Sequence, residues 1–344
     1  MLQLKNNTPF TPGIALFPNE HGVDSLYVTV KATFDIQGSL TIADEQQPLI
    51  EADQYWGEPE QSSLKYASEY HLAKPYTDII LIGEACAHDK RPVKELDVSL
   101  SVGDYGKTVR VFGDRYWEKN MVGHGISSPQ PFEVMPLVYE RAFGGVHIVD
   151  PDTDEVVFEG RNPLGKGFVG KRTKKEIDGL VLPNLEAPAN LISKPQDMPA
   201  PACFAPILPS WEPRKSFAGT YDEVWQHSRA PYLPSDFDSR FFNTAHPDLV
   251  CNGYLKGGEP AEVINASPEG PVRFVLPRCE LNVKVWISGV TEQPPLNLET
   301  VLIEPSESRL IMFWRGVLEC DKSGLKIEFV ELELSRLQLT DKAA

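Results

Sequence analysis

The chain has 344 residues, 33 basic against 49 acidic side chains for a net charge of −16, with 41% hydrophobic and 10% aromatic residues. This is a globular composition rather than a disordered one, and the acidic surplus argues against phosphate-backbone binding, so no nucleic-acid partner is expected. No stretch approaches the ~18 apolar residues of a membrane span. The five cysteines (Cys86, Cys203, Cys251, Cys279, Cys320) are scattered and form no C-x-x-C pair; neither a disulfide framework nor a zinc site is expected, and no cofactor. The opening MLQLKNNTPFTPGIALFP lacks a long apolar run behind a basic start, so it does not read as a secretory signal. Free thiols in the cytoplasm are the expectation.

In chain order, LYVTVKATFDI (26–36) is β-branched and alternating, which is strand patterning. Gly38-Ser39 is a turn from which Leu40–Ile42 can pair back. Residues 51–70 are polar and aromatic without a period and read as loop. Strands are predicted over 78–86, 93–102 and 107–112, the last two joined by the turn Gly103-Asp104-Tyr105-Gly106, with a further apolar run over 132–139. Thr173–Ile177 is a short helix candidate. Strand signals return at 272–276, 281–288, 300–303, 310–314 and 325–334. In the last of these the apolar phase slips between Phe329 and Val330, suggesting a bulge or a strand buried on both faces.

Residues 181–240 differ in character. Ten of the 30 prolines lie there, which excludes long helices and central strands. Interleaved Leu, Ile, Phe and Trp predict an ordered, extended wrap over an apolar surface rather than a flexible linker. Within it, Gly219–Asn243 carries Tyr221, Trp225, Tyr232, Phe237, Phe241 and Phe242. Thr220 and Glu223 have capping-box spacing, and Ser235 with Asp238 suggests a second turn after Pro231 and Pro234. The fold expected is mainly β: a sandwich-like body of two strand-rich regions, with an irregular Pro/aromatic-rich middle and a few short helices. The divisions fall at 1–180, 181–245 and 246–344, with one compact unit an open alternative.

Several motifs then resemble a known family. Asn7-Thr8-Pro9-Phe10, Tyr139-Glu140-Arg141-Ala142-Phe143-Gly144-Gly145, Asn162-Pro163-Leu164-Gly165-Lys166-Gly167, Leu182-Pro183-Asn184-Leu185-Glu186 and Gly219-Thr220-Tyr221-Asp222 with Trp225 are similar to the DUF2169 family, as is Leu233–Asn243. The likeness runs from about residue 5 to about 290. It implies a non-enzymatic cytoplasmic adaptor or chaperone of type VI secretion, which binds an effector and helps load it onto the VgrG–PAAR spike. Some relatives continue into pentapeptide repeats, and this sequence contains none. The resemblance supplies no catalytic set.

The residues themselves offer alternatives. For partner contact the candidates are Trp211, Tyr221, Trp225, Arg229, Phe237, Arg240 and Phe241, since buried aromatic and Arg anchors dominate protein interfaces. Arg161, Lys166, Lys171, Arg172, Lys174 and Lys175 concentrate six positive charges and form a candidate basic patch. The surrounding glycines suggest a phosphate-cradling loop, but the G-x-x-x-x-G-K-[ST] spacing is missing. Asp222, Glu223, Asp236 and Asp238 invite a glycan or peptide hydrolase reading with a carboxylate pair in 222–238, although each also has a local duty in a cap or turn. His227 and His246 share no metal-binding spacing. Arg141 either ties down neighbouring loops or meets a carboxylate or backbone carbonyl of a partner.

Overall fold

The computed structural model describes residues 3–340 apart from 122, 151, 321–323 and 325. Leu26, Val28, Val30, Ala32 and Phe34 turn to one side of the strand Asp24–Asp35, and all are fully buried. The opposite set, Tyr27, Thr29, Lys31 and Thr33, is buried too. It is covered by the following loop, where the Gln46 amide bonds both backbone groups of Thr33 and the Lys31 ammonium meets Glu69 at 2.8 Å. This strand is the second in a six-stranded sheet ordered Thr11–Pro18, Asp24–Asp35, Arg309–Glu319, Asn297–Glu304 and Asp78–Leu81, with Thr41–Ile42 added to Asp24–Asp35 as the sequence predicts. All pairings in it are antiparallel except the last, Asn297–Glu304 with Asp78–Leu81.

A five-stranded sheet runs Leu185–Glu186, Tyr105–Phe112, Glu95–Val102, Pro260–Ile264 and Val272–Val275. Its Val102–Tyr105 hairpin closes at the predicted turn. A four-stranded sheet runs Gln3–Asn7, Ile327–Gln338, Arg278–Ile287 and Val290–Glu292. The molecule is therefore mainly β, and each large sheet mixes strands from early and late in the chain. Val28, Val98, Val263, Val283 and Val301 from all three sheets belong to one continuous apolar cluster.

The phase slip at Phe329–Val330 does accompany a bulge, at the residue before Phe329, which faces outward and stacks on Trp286 with centroids 4.0 Å apart. The bulged residues are Glu328 and Ser335, where the register against Arg278–Ile287 shifts. The hairpin Val146–Asp150 with Glu155–Phe158 has no strand signal in the sequence reading.

The proline-rich stretch does more than wrap the surface. Residues 201–208 are buried throughout. Phe204 accepts the Leu81 amide, and the Ile207 amide donates to Thr244, so the segment forms a layer of the core. Proline suits this role because an extended chain outside the ladders loses nothing by lacking an amide donor. The short helix Lys174–Ile177 is present with its capping box of Thr173 and Glu176. Ile177 joins Trp117, Phe143, Leu182 and Ile192 in a second, smaller apolar cluster.

Candidate functional site

Two glycine-bearing loops interlock where the two apolar clusters meet. Tyr139 and Ala142 belong to the main cluster and Phe143 to the small one, so Tyr139–Gly145 spans the seam. Tyr139–Arg141 is a single 3-10 turn and Phe143–Gly144 a two-residue strand, paired in parallel with Lys166–Gly167. The backbones are pressed together: a Cβ on Gly144 (φ +151°) would lie 2.0 Å from the Asn162 carbonyl, and one on Gly165 would lie 2.6 Å from that of Ala142. Only glycine permits this approach. Asn162 is fully buried, and its amide donates to the carbonyls of Tyr139 at 2.7 Å and Phe143 at 3.0 Å. Because Tyr139–Arg141 is a turn rather than a strand, Glu140 and Arg141 do not diverge to opposite sides as strand neighbours would. Both line one cleft.

That cleft has a volume of about 580 Å³. Trp56, Tyr66, Ile82, Pro136 and Val138 give it apolar walls, while Lys65, Arg141 and Lys166 bring positive charge. The Lys65 ammonium sits 4.8 Å from the Trp56 ring centre and 5.1 Å from that of Tyr66, a cation–π pairing. Arg141 Nη1 and Lys166 Nζ both donate to one atom, Asn184 Oδ1, at 3.1 and 3.3 Å. Asn184 is itself fully buried, and its Nδ2 donates to the Phe112 carbonyl and to Asp114. Those two acceptors orient the amide, so its oxygen must face the two cations. Burial and the Arg141 charge hold the Lys166 pKa below the usual lysine range. Of the carboxylates in the wall, Glu140 is taken by the Ser63 amide and hydroxyl at 2.6 and 2.7 Å, and Glu304 by Arg309 at 2.7 Å and the Tyr66 hydroxyl. Glu84 and Glu307 are exposed. A space of this size with apolar walls and a few convergent polar groups has the make-up of a ligand or peptide site.

Three of the sequence motifs thus converge on one place: Tyr139–Gly145, Asn162–Gly167 and Leu182–Glu186. Residues 21–315 match the model of a family described as an uncharacterized protein conserved in bacteria, DUF2169. The chain belongs to the DUF2169 family. Every cleft residue from Trp56 to Glu307 lies inside the matched range. No curated protein and no solved structure matches the chain.

The residues singled out in 211–241 are placed differently. Trp211 is a core residue, 4% exposed, with its ring edge-on to Tyr139 at 5.5 Å; it does not line a groove. Asp222, not Thr220, caps the helix Glu223–Ser228 by accepting the Trp225 amide at 2.8 Å, because Thr220 is committed through its amide and hydroxyl to Asp236. The second turn is a 3-10 helix, Ser239–Phe242, capped by Asp238. Arg229 is half-buried and spends its donors on the carbonyls of Leu233 and Glu20. Trp225 Nε1 donates to the Tyr232 carbonyl, and Tyr221 meets the Trp225 ring at 4.7 Å. Phe237, Phe241 and Phe242 cluster, and Phe242 stacks on His71. Arg240 pairs with Asp238 at 2.5 Å and covers Phe217. Tyr221, Val224 and Tyr232 remain exposed.

The carboxylates of this segment act as pins. Hydrogen bonds from Thr220 hold the Asp236 carboxyl below its usual range, and Arg240 does the same for Asp238. A hydrolytic acid–base pair requires one carboxyl pushed the other way. His246 is buried beside Lys107, which together lower its pKa to about 4. Among the described residues no three His, Cys, Asp or Glu side chains cluster in a metal-holding group, and no helix is long and apolar enough to cross a membrane.

The six cations of 161–175 do not form one patch. Arg161 pairs with Glu159 and Lys171 with Glu155. Arg172 donates to the Phe168, Val169 and Val146 carbonyls. Lys174 and Lys175 lie exposed on the short helix, and Lys166 alone faces the cleft. Trp56 and Lys65, which line the cleft, and Asn184, the buried amide behind Arg141 and Lys166, are residues that sequence reasoning missed. Asn184 stood inside a quoted motif, whereas Trp56 and Lys65 stood in a stretch without a period.

Proposed function

We propose that this chain is a non-enzymatic adaptor or chaperone of type VI secretion, acting in the cytoplasm, which holds an effector segment in the cleft between Trp56 and Lys166 and delivers it to a PAAR-type spike protein, with VgrG as the further partner. The observation that supports binding over chemistry is the use of side chains in the cleft. Its apolar walls and cations remain open to a ligand, whereas Glu140 and Glu304 are fully engaged by Ser63, Tyr66 and Arg309. Membership of the family supports the choice of partners through the resemblance set out above. The exposed tip of Tyr221, Val224 and Tyr232 offers a second contact surface.

Co-expression with the effector and the PAAR-type protein of the same bacterium, followed by affinity pull-down and light scattering, tests this reading. A stable complex with raised soluble effector is expected. No association with either partner, when all three are soluble, would overturn it and bring back the hydrolase reading of residues 222–238.

A further inference from the structure

The motif loops bring Arg141 and Lys166 together and leave both short of negative charge. Their shared acceptor, Asn184 Oδ1, is a neutral amide oxygen. The nearest carboxylate to Arg141, that of Asp114, is 3.9 Å away and 71% exposed. The Lys166 ammonium has three donors to place, and its one hydrogen bond among the described residues is that to Asn184. Most cations that this protein buries more deeply are treated differently: Lys74 meets Asp78 at 2.7 Å, Lys31 meets Glu69 at 2.8 Å and Arg315 meets Glu299 at 2.9 Å, while Arg214 is satisfied by the carbonyls of Phe241 and Ile207. In a chain of net charge −16, two adjacent cations whose nearest counter-ion is the exposed Asp114 at 3.9 Å, held by a buried amide at the wall of an open cleft, are arranged for an anion from outside. The exposed Glu84 and Glu307 in the same cleft disfavour a multiply charged one.

We propose that Arg141 and Lys166 form an anchoring subsite for a single carboxylate of a protein segment, a chain terminus or an acidic side chain, with Trp56, Pro136 and Val138 receiving the apolar group next to it. The Arg fork and the Lys point charge supply complementary donors to the two carboxylate oxygens, and charge-assisted bonds of this kind are about twice as strong as neutral ones. This subsite rests on the cleft being the partner-binding surface.

The test uses the full chain and four small probes, followed by ligand-observed NMR and calorimetry. N-acetylphenylalanine presents a terminal carboxylate, N-acetylphenylalaninamide removes it, N-acetylglutamic acid α-amide presents a side-chain carboxylate, and inorganic phosphate presents a non-peptide anion. At least one of the two carboxylates should bind 10-fold or more tightly than the neutral amide, and which one does so identifies the source. Arg141→Gln with Lys166→Gln should abolish that preference while leaving the thermal melt in place, because glutamine can still donate to Asn184. Lys166→Arg in an otherwise wild-type chain should retain it. Equal binding of the neutral amide, no binding of either carboxylate, or tighter binding of phosphate would each overturn the proposal. With the full partner protein the two readings separate. Undiminished capture by the Gln double variant removes the carboxylate anchor and keeps the adaptor, whereas no capture by the wild type removes the adaptor itself.

Discussion

The cleft and the 219–243 segment are both dense in sequence motifs, yet they spend their polar groups in opposite ways. In 219–243 each aspartate and each arginine is closed on a neighbour: Asp222 on an amide, Asp236 on Thr220, Asp238 on Arg240, Arg229 on two carbonyls. The segment then runs into Asn243 and Thr244, which are pinned to the buried Asp78 at 2.8 Å each. At the cleft, two cations share a single neutral oxygen and keep donors in reserve. Motif density alone therefore marks where a fold needs particular residues. Unspent hydrogen-bonding capacity beside open space distinguishes a site from a lock.

The contrast is broken most severely at the lock. Asp78→Ala removes the partner of Lys74, 4% exposed, together with the anchor of Asn243 and Thr244. A loss of about 3–5 kcal/mol is expected, because an unpaired charge is left buried, and urea unfolding would measure it. An unchanged midpoint would mean that the segment is not locked there. Next comes Gly144→Ala, whose methyl group would collide with the Asn162 carbonyl. It should cost about 3 kcal/mol by the same assay, since a strained backbone has to move. Partner capture should fail with it even below the melting temperature, as the loops that carry Arg141 and Lys166 separate.

Two smaller effects sharpen the comparison. Binding of a carboxylate at the cleft needs a protonated Lys166, whose pKa is held below its ordinary value by burial and Arg141. Affinity should accordingly fall as pH rises, and start to fall below the ordinary lysine pKa of about 10.4. Lys166→Arg should remove that alkaline limb in a calorimetric titration; a profile that stays alkaline-sensitive would assign the proton elsewhere. In the locked segment the sign is reversed. The folded pKa of Asp238 is depressed by Arg240, so its stabilisation is present above the unfolded value of about 3.9 and is lost as pH falls through the folded one. Because the pair is partly exposed, Asp238→Asn should cost only about 0.2–1 kcal/mol at neutral pH, flatten the acid side of the stability profile and leave partner binding intact.

Much of the strand framework was legible in the sequence, because the strand patterning over 26–36, 93–102 and 281–288 is a local signal. The phase slip at Phe329 told of the bulge at Glu328 but not of what covers the outward ring, which is an aromatic contact 43 residues away in sequence, between Trp286 and Phe329. The cleft was only half legible. Arg141, Lys166 and Asn184 stood in recognisable motifs, but their meeting depends on glycine contacts between loops 20 residues apart, which no period encodes. Trp211 was misjudged for the converse reason: a tryptophan among prolines looks available until a buried extended layer is seen to carry it inward.

The main sheet sets Asp24–Asp35 between Thr11–Pro18 and Arg309–Glu319, which bears on how the protein is born. At ribosomal rates of ~5–20 residues per second, the first hairpin waits roughly 15–60 s for the strand that completes its hydrogen bonding. During that wait the apolar row from Leu26 to Phe34 and a long unpaired edge are open to other nascent chains. A protein proposed as a keeper of other polypeptides thus shows, during its own synthesis, the kind of surface that a keeper covers.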